Sequence, residues 1–283
     1  MWKLKEYIRP DSVTEAVAIK QHHGPRAAYL SGGSDLMVCR PEDIETVIDI
    51  RHIGLGYVRD EDDALVIGGA ALLRDAEARA RHVAGGMLTA AFRDTAPWLI
   101  RNVATVAGNI ANASPAADSV PALIALDARI VVSGTSEQMP VHDVFAGPHQ
   151  TNLGNALIEQ IRVPSSSHSV RAKFFKLARS ASDIALVNLA VSCDIQDGVF
   201  HRVRISLGAV APIPVRAVLT ESLLEGQAVS RDLLWEAGET VKKEITPISD
   251  WRASAQYRSR MSGVLLRRAL ESFTTPEERN LNA

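Results

Sequence analysis

The chain has 283 residues, 46% of them hydrophobic and 23% charged, with a formal net charge of −2. That mix suits a globular protein long enough for two or three small cores. The near balance of 31 Lys and Arg against 33 Asp and Glu excludes nucleic-acid binding through a basic surface.

The start, Met1-Trp2-Lys3-Leu4-Lys5-Glu6, lacks the apolar segment of a secretion signal. No apolar run approaches the ~20 residues that span a bilayer, so membrane insertion is not expected. The only cysteines, Cys39 and Cys193, stand alone. Isolated cysteines fit a reducing cytoplasm, where they act as small hydrophobes, and two cannot hold a four-cysteine iron–sulfur cluster.

Ser12 and Glu15 have capping-box spacing and open a helix that Gly24-Pro25 ends. Ala27–Leu30 reads as a strand broken at Gly32-Gly33, and residues 46–50 as another. A strand at Ala64–Ile67 precedes helices near 71–81 and 87–95, the latter stopping before Pro97. Residues 102–117 carry no charge and no clean period. A helix follows over 118–126, with Pro121 tolerated in its first turn. Strands are expected over 130–133 and 157–163, and Pro164-Ser165-Ser166-Ser167 reads as a linker.

Beyond it, residues 188–195 and 201–207 form a hairpin through Asp197-Gly198. Helices are expected near 217–224, 231–244 and 254–272. In the last, Tyr257, Met261, Val264 and Leu265 share a face that should pack on the hairpin sheet, with Arg268 interrupting it.

Two stretches do not read as core. In Leu30-Ser31-Gly32-Gly33-Ser34-Asp35-Leu36 the paired glycines allow a tight turn that presents successive N–H groups. It is not the GxGxxG of a Rossmann helix, and a Gly-Gly turn after a strand is more often structural than ligand-binding. The second runs from Ile100 to Asp118, small residues interleaved with Thr105, Asn109, Asn112, Ser114 and Asp118. Small side chains bury little area. The pattern suits either a backbone lying against a ligand or a tightly packed loop.

The histidines show no metal-ligand spacing, and no GxSxG, Walker A or EF-hand pattern occurs. Trp98 and Trp251 read as packing residues before flavin neighbours.

The segment Arg101–Ile110 with Ala113–Asp118 resembles the principal FAD-binding signature of the molybdenum hydroxylase flavoproteins. These are the medium subunits of xanthine and carbon monoxide dehydrogenases. Leu30–Leu36 resembles that family's first flavin loop. Phe175–Arg179 with Asp183-Ile184-Ala185 is similar to its third block, and Gly208–Ala217 with Trp251–Ser254 and Tyr257-Arg258 to its C-terminal domain.

The resemblance implies an α+β fold, with two N-terminal α/β-type subdomains (1–55 and 56–165) sandwiching FAD. A C-terminal antiparallel sheet packed with helices would occupy 166–283. FAD would be held by Leu30, Ser31, Gly32, Gly33, Ser34, Asp35 and Leu36 on the pyrophosphate side. Ala104, Thr105, Gly108, Asn109, Asn112, Ser114 and Asp118 would hold the rest, Asp118 accepting from a sugar or ribityl hydroxyl. Lys176 would supply a cation to the reduced ring.

The implied role is electron relay. Electrons would come from a molybdenum-cofactor large subunit through a 2Fe-2S small subunit, and pass to NAD or another acceptor. No acid, base or nucleophile is required of this chain. Ala107 stands where the family usually has glycine; its methyl fits at negative φ but would crowd a backbone lying against the cofactor. It is the one feature favouring a rival reading, a flavin-free assembly or scaffold subunit. A self-contained flavin oxidase is the third possibility, and no substrate-side acid or base supports it.

Overall fold

The computed structural model describes residues 2–167 and 170–274; residues 275–283 of the expected C-terminal unit lie outside the described residues. The chain forms three main sheets. The first is parallel, in the order β1 (Glu6–Ile8), β3 (Thr46–Asp49), β2 (Ala27–Leu30). Helix α1 (Val13–His23) crosses it. Ser12 Oγ accepts from the Glu15 N–H at 3.1 Å, while the Glu15 carboxylate reaches the N–H of Asp11, one residue before the cap. Gly24 ends α1 at φ +60°. The short α2 (Leu36–Cys39) follows the diglycine turn.

The second sheet contains β4 (Val58–Glu61), β5 (Ala64–Gly68), β6 (Arg129–Val132), β7 (Gln138–Pro140) and β10 (Ile158–Pro164). Its order is β4-β5-β10-β6-β7, and every pair is antiparallel. The small ribbon β8 (Phe145–Gly147) and β9 (Gln150–Thr151) lies before β10. Between β5 and β6 run α3 (Leu73–Arg79), α4 (Met87–Asp94), α5 (Trp98–Arg101), α6 (Val106–Ala111) and α7 (Ser119–Ala125). All seven residues of α7 are buried, with Pro121 in its first turn as expected. Ser165–Ser167 forms one 3-10 turn.

The third sheet is antiparallel, β11 (Arg171–Leu177), β12 (Val187–Gln196), β13 (Val199–Gly208) and β14 (Val215–Arg216). Asp197 and Gly198, at φ +50° and +74°, make the expected hairpin turn. Both faces of β12 are covered over residues 187–193, all of them buried. Phe174 and Ala190 join the core of the second sheet and its helices, whereas Leu189, Val191, Ile205 and Leu207 face the C-terminal helices. Those helices are α8 (Val218–Leu224), α9 (Arg231–Thr240) and α10 (Ala255–Phe273).

Helix α10 packs on the sheet as expected, through a face that keeps Leu265 and part of Met261 but is rotated away from Tyr257. Arg258, Ser262, Leu265, Leu266, Ala269, Leu270 and Phe273 are buried, while Tyr257 is exposed. Arg268 is exposed and interrupts nothing. The rotation has two causes. The Arg258 guanidinium finds buried acceptors on the sheet side. Gly263 also lets α10 approach α9 so closely that a Cβ there would overlap the carbonyl oxygen of Gly238. Trp98 and Trp251 are 64% and 78% exposed, so neither packs into a core as expected. The Arg179 guanidinium stacks on the Trp251 ring at 4.5 Å. Cys193 is buried, as a small hydrophobe should be, but Cys39 is exposed.

The substitution Gly263→Ala should force α9 and α10 apart. Urea unfolding should show a lower midpoint at unchanged slope, a loss of about 1–3 kcal/mol.

Candidate functional site

The glycine turn and the uncharged segment are far apart in sequence but touch in space. A Cβ on Gly32 would overlap the carbonyl oxygen of Val103, so only glycine allows these two backbones to meet. Gly33 takes the left-handed conformation, φ +67°. The N–H groups of Gly32, Gly33 and Ser34 make no hydrogen bond among the described residues. The Ser31 hydroxyl oxygen is also buried and without a hydrogen-bond partner among those residues. Such a group is costly to leave unmet, and it marks a place for a ligand.

A cleft of about 1110 Å³ opens beside this contact. It exceeds the ~300–1,000 Å³ usual for small-ligand sites, as an extended dinucleotide requires. Leu30, Ser31, Gly32, Gly33, Ser34, Asp35, Leu36, Ala104, Thr105, Gly108, Asn109, Asn112, Ser114, Asp118 and Lys176 all line it. Trp98 and Trp251 do not.

Several of these side chains are committed to shaping the wall. Thr105 Oγ1 caps α6 by accepting from the Gly108 N–H at 3.1 Å. Ser119 donates to Asn109 Oδ1 at 2.6 Å, tying α6 to α7. The Asn112 carbonyl lies 3.0 Å from His149 Nδ1. Ser114 Oγ accepts from the Ala116 N–H at 3.3 Å, closing the turn before Asp118. Ala107 lies within α6, outside the positive-φ residues, so its methyl costs no backbone strain.

At one end of the cleft lies a buried ion pair. Lys176 Nζ is 2.8 Å from Asp118 Oδ2, with side-chain exposures of 8% and 5%. It also donates to the Asp94 carbonyl at 2.8 Å, which leaves one N–H uncommitted. The Asn188 amide donates to Asp118 Oδ1 at 2.7 Å. Burial pushes the Asp118 carboxyl up to about 6, although Lys176 and Asn188 pull the other way.

Residues that the sequence analysis did not place at the site complete the cleft. His149, Ile248 and Asp250 line it, as do Arg252 and Arg258 from the C-terminal block. Asp183 and Ile184, from the block that resembles the family's third, line it too, beside Ser182. Arg258, 2% exposed, donates to the carbonyls of Leu186 at 2.7 Å and Ala209 at 3.1 Å, and to Asp250 at 2.9 Å. Burial alone would raise Asp250. Hydrogen bonds from Arg252, the Ala253 N–H and Arg258 outweigh it and hold the carboxyl well below the usual range. Among the described residues, no three His, Cys, Asp or Glu gather into a metal site, and no helix is long and apolar enough to cross a membrane.

Three sheets meeting at an extended cleft, without a Rossmann motif, define a class of cofactor-binding subunit. Residues 3–166 match the FAD binding domain in molybdopterin dehydrogenase, and residues 172–273 the CO dehydrogenase flavoprotein C-terminal domain. The carbon monoxide dehydrogenase medium chain of Hydrogenophaga pseudoflava is 31% identical over 280 residues, covering 94% of this chain and 96% of that one. The xanthine dehydrogenase FAD-binding subunit of Escherichia coli O157:H7 is 28% identical, covering 91% and 92%. A solved structure of carbon monoxide dehydrogenase from Hydrogenophaga pseudoflava, lacking the Mo-pyranopterin moiety of its cofactor, superposes with a TM-score of 0.91. It is 30% identical, with 96% of this chain and 97% of that one covered.

The chain therefore belongs to the FAD-binding medium subunits of the xanthine dehydrogenase and carbon monoxide dehydrogenase family. It is an oxidoreductase flavoprotein subunit, and FAD is its cofactor.

Asp118 supplies a test of the buried pair. Its folded value of about 6 lies above the ordinary 3.8. Across that interval the folded chain binds more protons than the unfolded, so this group's contribution to stability falls as pH rises from about 4 to 6. The substitution Asp118→Asn should remove that part of the slope, at most about 3 kcal/mol across the window. Chemical denaturation of both proteins at several pH values measures it.

Proposed function

We propose that this chain relays electrons within a molybdenum hydroxylase complex, with FAD lying extended along the cleft. The observation that carries the reading is the pairing of an unmet Ser31 hydroxyl and free loop N–H groups with a long cleft. The donor set fits the cofactor. Leu30–Leu36 would hold the pyrophosphate through backbone N–H groups, as successive amides in a turn hold anions. Ala104, Thr105, Gly108, Asn109, Asn112 and Ser114 would form the wall against which the cofactor lies. Asp118 has both oxygens engaged, so its main role is to fix Lys176, with any hydroxyl taking a remaining lone pair. Lys176 would direct its uncommitted N–H toward the flavin.

When bound, FAD supplies hydride and single-electron chemistry; the protein positions it and tunes its electronics. The partners would be a molybdenum-cofactor large subunit and a 2Fe-2S small subunit, in the cytoplasm, with NAD as acceptor. The division at residues 55 and 165 would separate the two flavin-holding units from the C-terminal unit. Ala107 lines the cleft from within α6 without backbone strain, and the match to an FAD binding domain stands against the flavin-free scaffold.

The purified protein should be yellow, with one FAD per chain, and should bleach on reduction. A colourless protein that cannot be reconstituted would sink the reading. The substitution Gly32→Ala should weaken FAD at least about tenfold, a cost of ~1.4 kcal/mol or more, in a flavin-fluorescence titration. NADH oxidation with an artificial acceptor tests the NAD assignment; no turnover would remove it. Mass spectrometry of chains that co-purify tests the partners.

A further inference from the structure

Asn188 lies in neither flavin loop, yet three strands and the turn before Asp118 converge on it. Lys176, Asn188 and Gly208 are direct cross-strand neighbours in β11, β12 and β13. Their row faces the turn leading into α7, and the Ala209 N–H donates to the Pro115 carbonyl at 2.7 Å. Asn188 is fully buried. Its Nδ2 lies 3.4 Å from the carbonyls of both Ala116 and Ala117, but 2.7 Å from Asp118 Oδ1. The short contact is the charge-assisted one.

The orientation of this amide is fixed from both sides. Its oxygen fills space that a Cβ on Gly208 would occupy. Turned over, the same oxygen would face a carboxylate and two carbonyls, acceptors all. In the observed orientation Oδ1 has no partner among the described residues. A buried unmet carbonyl is unfavourable, so packing alone does not explain an amide here.

We propose that Asn188 is a positioning residue for the flavin site: its amide holds the Asp118 carboxylate against Lys176, and so sets the charge at that end of the cleft. This rests on reading the cleft as the flavin site. The charged groups acting on Asp118 are Lys176 from β11 and Asp94 at the end of α4, with neutral Asn188 from β12. Removing the amide leaves the carboxylate buried with one fewer donor. Asp118 then takes up a proton at higher pH, and the Lys176 charge is no longer balanced. An unbalanced cation favours the electron-rich reduced flavin.

The test uses the full chain and the substitution Asn188→Ala, with the near-isosteric Asn188→Leu should the first fail to accumulate. Without FAD, carbon-13 NMR of the aspartate carboxyls, assigned with Asp118→Asn, should show Asp118 titrating near 6 in the wild type. In the variant it should move up by about one pH unit, the effect of losing one hydrogen bond to a charged group. With FAD, the reduction potential of the variant should be more positive than wild type. The difference should be largest between pH 6 and 7 and close on either side. In the Asp118→Asn background, replacing Asn188 should not change the pH profile. An unmoved Asp118 titration, or an equal shift of potential in both backgrounds, overturns the proposal. A moved titration in a chain that binds no FAD keeps the Asn188–Asp118 coupling and overturns the flavin role.

Discussion

The Asp118–Lys176 ion pair is the contact on which the cleft's third wall depends. It joins the residue before α7, in the second sheet's layer, to β11 of the C-terminal sheet, and both side chains are nearly excluded from solvent. Taking two charges out of water costs several kcal/mol each, and their attraction offsets this only where further hydrogen bonds complete the geometry. Here the Asp94 carbonyl and the Asn188 amide provide them. A pair of this kind adds little net stability, but removing one partner leaves a buried charge. It therefore fixes how α7 and the C-terminal sheet meet.

Close backbone contacts supply the rest of the geometry. Gly32 lies against Val103, and Gly208 leaves room for both the Asn188 amide and the Pro115 carbonyl. These glycines let loops from three sheets converge on one volume without a Rossmann helix. The N–H groups of Gly32, Gly33 and Ser34, without partners among the described residues, are then available to an anion. The molecule thus separates its tasks: loops present donors, α6 and α7 form a packed wall, and the C-terminal sheet delivers the cation.

That division agrees with the chemistry of a flavoprotein subunit. Hydride and electron transfer by a flavin require no protein acid or base, only position, exclusion of water and control of charge. In the wall, Thr105 caps α6, Ser114 closes the turn before Asp118 and Asn109 ties α6 to α7.

Much of this was legible in the sequence because it is local. The Ser12 cap, the Asp197-Gly198 turn, Pro121 in a first turn and the alternation of strands and helices follow from residues within a few positions of one another. The two cleft loops stood out for the same reason, since a glycine pair and an uncharged small-residue run break the apolar pattern; yet Ala104, Val106, Ala107, Ile110, Ala113 and Ala117 of that run pack into the core behind the cleft, which its sequence did not show. Asn188 and Arg258 could not be found this way. Asn188 is a polar residue in an apolar stretch of β12 whose short contact, Asp118, lies 70 residues away, and Arg258 is a buried cation on a helix with four arginines, with one acceptor 72 residues away at Leu186. Part of the face of α10 was hidden for the same reason, although Leu265 and Met261 do pack as expected. Periodicity grouped Tyr257 with Met261, whereas carbonyl acceptors on the sheet drew Arg258 inward. Most helices, the central hairpin and the two cleft loops follow from neighbouring residues, because short-range sterics and hydrogen bonds specify them. Which polar groups are buried together does not, because the compensation of a buried charge depends on partners that folding alone brings within 3 Å.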